Sequence, residues 1–158
     1  MVIICREATL EDKGHVARVF AYENGFHVDL QPEVFNRLDE STVLANDWYE
    51  KAMDDDAARI VLAEENGTVL GLVYYSIVRT DNPILRSDRL VYVDELVVLP
   101  EHQGRGIGRT LMEHVEDRAR TEGVHTLKLQ VWDNNEGALG FYRAMGYGPR
   151  ERVLWKTL

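Results

Sequence analysis

Apolar residues along this chain change period from one segment to the next. They crowd into two runs, Ile60-Val61-Leu62-Ala63 and Val69-Leu70-Gly71-Leu72-Val73-Tyr74-Tyr75, on either side of Asn66-Gly67. An Asn-Gly pair tolerates positive φ at both central positions of a tight turn, so the pattern predicts a β-hairpin. Val91 to Leu99 is nearly continuous in apolar residues, as a strand inside a sheet would be, and Pro100 stops it. Ile107, Leu111, Met112, Val115 and Ala119 instead recur at helical spacing, with Arg109, Glu113, Glu116 and Arg120 on the other faces and Gly123 beyond the end. Thr126 to Val131 predicts another strand. Asn134 or Asn135 can then cap a helix carrying Ala138, Leu139, Phe141, Tyr142 and Met145, with Gly146 as its stop.

The flanks read less sharply. Val2 to Arg6 is a short β-branched strand, and Thr9 with Asp12 three residues on resembles a helix cap leading to Val16, Val19 and Phe20. Gly25 is expected to interrupt that helix. Pro32 is expected near the start of a second one, bearing Val34, Phe35, Leu38, Val43, Leu44 and Trp48. Asp54-Asp55-Asp56 reads as a solvated connection, Thr80 to Asp88 as a loop, and Val153-Leu154-Trp155 as a last strand. With no repeat and no linker, residues 1–158 predict one α/β domain around a mixed sheet.

Composition narrows the function classes. At 158 residues the chain can bury a core, and no apolar run approaches the ~20 residues of a membrane span. The opening residues Met1 to Glu7 carry no signal-peptide pattern, and Cys5 is the lone cysteine, so a reducing cytoplasm is expected and no intrachain disulfide can form. A net charge of -9, from 27 acidic and 18 basic residues, argues against affinity built on nucleic-acid phosphates. It leans toward a cationic or neutral partner, with plain solubility as the alternative explanation.

The densest chemistry lies between the strand ending at Leu99 and the helix after it. Gln103-Gly104-Arg105-Gly106-Ile107-Gly108-Arg109-Thr110 reads as a turn and a helix start. Its glycines let the backbone fold tightly and present N–H groups, which together with the helix's positive end suit a phosphate or pyrophosphate. Arg105 and Arg109 add charge. Two commoner phosphate loops fail on spacing. A dinucleotide fingerprint counted from Gly104 meets Arg109 where its last glycine belongs. A nucleoside-triphosphate loop ending Gly108-Arg109-Thr110 lacks the lysine and has Gln103 in place of its first glycine.

What does fit is Gln103-x-x-Gly106-x-Gly108 after Val97-Val98-Leu99-Pro100, which resembles the acyl-CoA-binding motif of the GNAT acetyltransferase superfamily. Leu129-Gln130-Val131, Asn134-Asn135 and the run from Ala138 to Tyr147 resemble that family's second block, Asn-x-x-Ala-x-x-x-Tyr-x-x-x-Gly-Phe, with Tyr147 in place of the phenylalanine. The two blocks span residues 91–147, and residues 1–90 match in pattern only. The resemblance implies a single-domain GNAT fold with about four helices flanking a mixed central sheet. That sheet would be splayed to hold CoA between the strand ending at Leu99 and the strand ending near Trp132. It implies acetyl-CoA as co-substrate. Backbone groups of Val97, Val98 and Leu99 and the Asn135 amide would contact the pantetheine, Arg105, Gly106, Ile107, Gly108, Arg109 and Thr110 would wrap the pyrophosphate, and Gln103 and Gly104 would belong to the same cofactor site.

The implied reaction is N-acetyl transfer to a primary amine of a small molecule or peptide by direct attack. A lysine-like amine must lose a proton first, which costs roughly 4–5 kcal/mol at pH 7. A carboxylate, directly or through water, can take that proton. Donors on the strand near Val97 or Val98 can stabilise the thioester oxygen. The resemblance places Tyr142 as the acid for the departing thiolate. Gln130 stands where relatives that acetylate protein N-termini carry a glutamate, and Gln130 cannot act as a base. Glu95 is the chosen base, with Asp94, His27 and water left open; alternation sends Asp94 and Glu95 to opposite faces unless a bulge intervenes. Tyr22, Glu23, Asn24, Phe26, His27 and Asp29 mix aromatic and acidic groups, as a pocket for a cationic acceptor would. His15, His102, His114 and His125 show no metal-ligand spacing. Transfer of another acyl group, a non-catalytic acyl-CoA-binding regulatory role and a homodimer remain open.

Overall fold

The computed structural model describes residues 2–84, 86 and 89–158. Leu85, Ser87 and Asp88, part of the expected loop after the hairpin, lie outside the described residues, as does Met1. In chain order the elements are β1 (Ile4–Glu7), α1 (Lys13–Leu30), α2 (Glu40–Ala45), α3 (Trp48–Asp54), β2 (Ala58–Glu65), β3 (Thr68–Arg79), β4 (Arg89–Val98), α4 (Ile107–Thr121), β5 (Leu127–Leu129) and α5 (Glu136–Ala144).

The strands form one sheet in the order β1-β2-β3-β4-β5, antiparallel except for the parallel β4–β5 pair. Asn66 and Gly67 both take positive φ (51° and 79°), the geometry the hairpin turn demands. β2 is buried on both faces because the sheet is a middle layer. Val61 and Ala63 pack with Ile107, Leu111, Met112 and Val115 of α4, whereas Ile60 and Leu62 pack with Val16 and Val19 of α1 and Tyr49 of α3. Gly71 of β3 is a forced choice: a Cβ there would lie 2.3 Å from Val97 O and 2.9 Å from Val98 Cα. The two central strands therefore approach more closely than any side chain allows.

Thr9 and Asp12 do form the expected cap, with the Thr9 N–H donating to Asp12 Oδ2 at 2.8 Å. Asp12, only 5% exposed, also receives the Arg6 guanidinium at 2.8 Å, which holds its carboxyl below the usual range.

Three expectations are corrected. α1 does not stop at Gly25 but runs to Leu30. The ~1 kcal/mol a mid-helix glycine costs is small beside the burial of the helix's inner face. Pro32 starts no helix; residues 31–39 are irregular, and the expected second helix is two short ones, α2 and α3. α2 is capped by Asp39, whose carboxylate accepts from the Thr42 N–H at 2.7 Å, so the start signal lay seven residues beyond the proline. Val153, Leu154 and Trp155 form no strand and are 66%, 87% and 71% exposed. A strand is a pairing property, and this apolar run pairs with no edge of the sheet.

Candidate active site

The site begins with a mismatch of strand lengths. β4 and β5 pair only over Val91–Val93 and Leu127–Leu129, yet β4 runs on to Val98. Beyond Leu129 the neighbouring chain turns away, and a cleft of about 330 Å³ opens in the gap. On its other side β4 stays paired: Leu99 N–H donates to Leu70 O at 2.9 Å. In an antiparallel ladder the hydrogen-bonding edge alternates between residues. Leu99 and Val97 therefore spend their amides on β3, and the backbone edges of Leu96 and Val98 face the cleft.

A bulge sits in the same stretch. Tyr74 pairs with Glu95 and Tyr75 with Val93, so Asp94 has no partner opposite it. The extra residue breaks the alternation and lets both Asp94 and Glu95 line the cleft. Asp94 is exposed and accepts from Ser76 Oγ at 3.3 Å. Glu95 is held deeper. Burial first, then the charge and hydrogen bond of Glu23 and the charge of Asp94, push its carboxyl well above the usual range.

α1 supplies the facing wall. Tyr22, Glu23, Phe26 and His27 reach the cleft, at the i, i+1, i+4, i+5 spacing of one helical face. Asn24 and Asp29 do not: Asn24 bonds to the backbone of Asn36 and Leu38, and Asp29 pairs with Arg37. His27 Nδ1 stands 2.7 Å from Glu23 Oε1. Its ring stacks on Phe35 (centroids 5.4 Å), which meets Trp132 edge-on (5.6 Å), so aromatic side chains bridge the two walls. Asn134 ties the walls as well, donating to Leu30 O at 3.2 Å and accepting from Gln31 at 2.9 Å. The sequence reading assigned Phe35 to an expected helix and Trp132 to a strand end and neither to the cleft wall, since nothing in local spacing brings residues 35 and 132 together.

Tyr142 projects from α5 into the cleft, packed edge-on against Phe141 and Tyr147. Burial and the nearby charge of Glu95 push its phenol up, so it keeps its proton. Asn135 lines the cleft and its Oδ1 caps α5 by accepting from Ala138 N–H at 3.1 Å. Gln130 lines it too.

At one end of the cleft the chain leaves β4 through a short turn into α4. Gln103 folds back, its amide donating to Val98 O at 3.0 Å and reaching the Tyr22 hydroxyl at 3.3 Å. Gly104 and Gly106 take φ of 75° and 80°, and a Cβ on either would meet nothing within 4 Å. Gly106 is the N-cap of α4, so the N–H groups of Ile107, Gly108 and Arg109 have no preceding helical carbonyl to bond. Gly108 faces inward, where a Cβ would touch Phe141 at 3.4 Å. Thr110 turns its hydroxyl back onto Gly106 O at 3.2 Å. Arg105 bonds Glu65 at the β2–β3 turn at 2.9 Å, and Arg109 lies 3.9 Å from Glu113. Tight positive-φ glycines, exposed N–H donors and open space fit a pyrophosphate.

A free strand edge along one wall, a glycine-built helix start at its end and a half-buried acid and phenol between them are the parts this cleft brings together. The chain belongs to the acetyltransferase (GNAT) family, whose profile matches residues 21–147. It is 44% identical over 55 residues to streptothricin acetyltransferase of Streptomyces lavendulae, covering 35% of this chain and 29% of that protein. It is 30% identical over 107 residues to the N-acetyltransferase MJ1207 of Methanocaldococcus jannaschii, covering 67% and 46%. The chain thus spans less than half the length of these two curated relatives. Among solved structures, a tetramutant of the BH1408 protein from Bacillus halodurans superposes with a TM-score of 0.87 at 25% identity, over 98% of this chain and 99% of that one.

Proposed function

We propose that this protein transfers an acetyl group from acetyl-CoA to a primary amine by direct attack, with Glu95 taking the amine's proton and Tyr142 supplying one to the thiolate. The observation that carries the reading is that both groups line the cleft opened where β4 outruns β5. The pantetheine of acetyl-CoA runs along the Leu96 and Val98 edge, with Asn135 opposite. Its pyrophosphate rests on the turn from Gln103 through Gly104, Arg105 and Gly106 to the first turn of α4, where Ile107, Gly108, Arg109 and Thr110 lie. Leu96 joins the assignment and Leu99 contributes packing, because its N–H already serves Leu70.

Residue chemistry supports the proton steps. A base whose carboxyl lies above the usual range is closer in proton affinity to an amine than an ordinary glutamate, so the transfer is less uphill, but only its ionised form, the minor one at neutral pH, can act. Once Glu95 is protonated, the negative charge that holds the Tyr142 proton is gone. Tyr142 thereby becomes a better donor as the thiolate departs, and the proton taken up by Glu95 returns to the Tyr142 phenolate, directly or through water, to reset the site. Among the described residues no lysine or arginine lines the cleft, while Glu23, Asp94 and Glu95 do. This favours a cationic acceptor and disfavours one with a carboxylate beside its amine. Gln130, at the place of a glutamate in some relatives, leaves acyl-CoA binding without turnover as the second reading.

Two measurements test the proposal. Acetyl-CoA at 100 times its dissociation constant should stabilise the fold by ~2.7 kcal/mol, read as a higher melting temperature, while NAD and ATP do far less. A thiol-reactive dye should then report CoA release with amines from a panel. No melting shift at millimolar acetyl-CoA sinks the site; a shift with no release for any amine leaves the regulatory reading in place of the enzyme.

A further inference from the structure

A chain of rings crosses the cleft from one wall to the other. On α1, the ring centroids of Phe26 and His27 lie 5.9 Å apart, and His27 stacks on Phe35 at 5.4 Å. Phe35 meets Trp132 edge-on at 5.6 Å, and Trp155 comes within 6.5 Å of Trp132. The step from Phe35 to Trp132 joins the irregular stretch after α1 to the chain beyond β5. Asn134 makes the same crossing with hydrogen bonds, donating to Leu30 O at 3.2 Å and accepting from Gln31 at 2.9 Å. On the α1 side the cleft is therefore bridged.

The bridge is made of groups that recognise some acceptors and not others. Aromatic faces hold apolar bodies and cations. The rings of Phe26 and Phe35 satisfy no backbone N–H or C=O group, and His27 spends its Nδ1 on Glu23 Oε1 at 2.7 Å. An amine on a polypeptide brings a continuing backbone whose polar groups need partners when buried. The strand edge that could supply them, at Leu96 and Val98, is the one that receives the pantetheine. Room is short as well. The cleft of about 330 Å³ must hold the thioester together with the acceptor, and ligand sites run from about 300 to 1,000 Å³.

We infer that the acceptor is a small free amine with an apolar body seated against the Phe35–Trp132 bridge, and not an amine carried on a polypeptide. The inference rests on the acetyl-transfer reading above and narrows its acceptor. Glu23 and Asp94 draw the ammonium form into the cleft, and the rings take up its carbon body. Phe35 and Trp132 are then specificity-determining residues, which favour the small amine by contact and exclude the peptide by closure.

CoA release should be compared for small apolar amines (butylamine and 2-phenylethylamine) and for a short peptide offering a free N-terminus and a lysine. The wild-type protein should prefer at least one small amine in kcat/KM by about 100-fold or more. Phe35→Ala and Trp132→Ala should each narrow that ratio by about tenfold or more, through a higher KM for the small amine and a gain for the peptide. Asn134→Ala, which cuts the hydrogen-bonded crossing and keeps both rings, should narrow it less, and serves should a ring variant fail to fold. A peptide used as well as the small amines by the wild-type protein overturns the inference, as does a ratio unmoved in every folded variant.

A binding measurement separates this inference from the enzyme reading. In ¹⁵N-labelled protein with CoA, the Trp132 indole N–H signal, assigned with Trp132→Phe, should shift saturably with a small apolar amine and not with the peptide. If no amine or peptide releases CoA but this signal responds so, the transfer reading fails and the small-amine site stands. If the signal responds to neither, or to the peptide alone, the site is overturned.

Discussion

Glu95 faces Tyr74 across the β3–β4 ladder, an opposition that exists because Asp94 has been squeezed out of register. Without the bulge, one of the two neighbouring acids would point into the α1 face and the other into the α4 face. With it, both line the cleft, and their difference becomes one of depth. Glu95 is half-buried on the wall facing α1, and Asp94 stands at the exposed mouth.

Depth decides which acid should matter. Glu95→Gln should lower turnover at neutral pH by on the order of 10²-fold. Raising the pH should recover part of the loss, since more of the acceptor amine arrives already neutral. Asp94→Asn should change the rate little. Steady-state rates of the two variants from pH 6 to pH 10 check this, and a larger, pH-rescued defect in Asp94→Asn would reverse the assignment.

The same burial has a cost in stability. Glu95 binds its proton more tightly in the folded chain than in the unfolded one. As pH rises above the ordinary glutamate range, the unfolded state gives up this proton while the folded state keeps it. The stabilising contribution is therefore complete below that range and is lost as pH rises to the folded-state value. Glu95→Gln should raise the denaturant midpoint at pH 8 and leave it nearly unchanged at pH 4, the opposite of what a stabilising ion pair would do.

Tyr142→Phe keeps the ring's packing against Phe141 and Tyr147 and removes only the hydroxyl. Turnover should fall with acetyl-CoA affinity unchanged, as expected for a contact made in the transition state. Calorimetric titration beside kinetics reads both. A fall in affinity equal to the fall in rate would make Tyr142 a packing residue.

Gly106 tests the pyrophosphate turn. Open space lies where its Cβ would be, but its φ of 80° strains a valine regardless. Asparagine tolerates that backbone, so Gly106→Asn and Gly106→Val together separate strain from obstruction. Both should weaken CoA binding tenfold or more, about 1.4 kcal/mol, with Gly106→Asn melting close to wild type. Normal CoA binding by a folded Gly106→Asn protein contradicts the placement.

The parts of the molecule legible in sequence are those set by local chemistry. The Asn66-Gly67 turn, the buried β4 run, the α4 stripe and the glycines after Leu99 each carry their conformation in neighbouring residues. That Glu23 and Glu95 line the same cleft was not legible, although both acids were singled out, because it depends on how α1 crosses the sheet. The bulge at Asp94 was foreseen only as an option, since two adjacent acids do not announce which will lose its partner. Gly25 and Pro32 misled for a related reason. Each is a local breaker, but burial of the inner face of α1 outweighed the first, and the Asp39 cap put the next helix start elsewhere.

The close approach at Gly71 divides the protein into parts with different freedom to vary. A methyl group there meets Val97 O at 2.3 Å, so the spacing of the two central strands is set by bare backbone and admits no other residue without a shift. Phe26, His27, Phe35 and Trp132, by contrast, come from a helix and two loops, and exchanging them leaves the ladder beneath intact. On the proposed function, exchanges at this rim would change which amine is accepted and leave the spacing of the two central strands as it is. New acceptor preferences would then be found by sampling the aromatic rim, and a library that also randomises position 71 would mostly return unfolded chains.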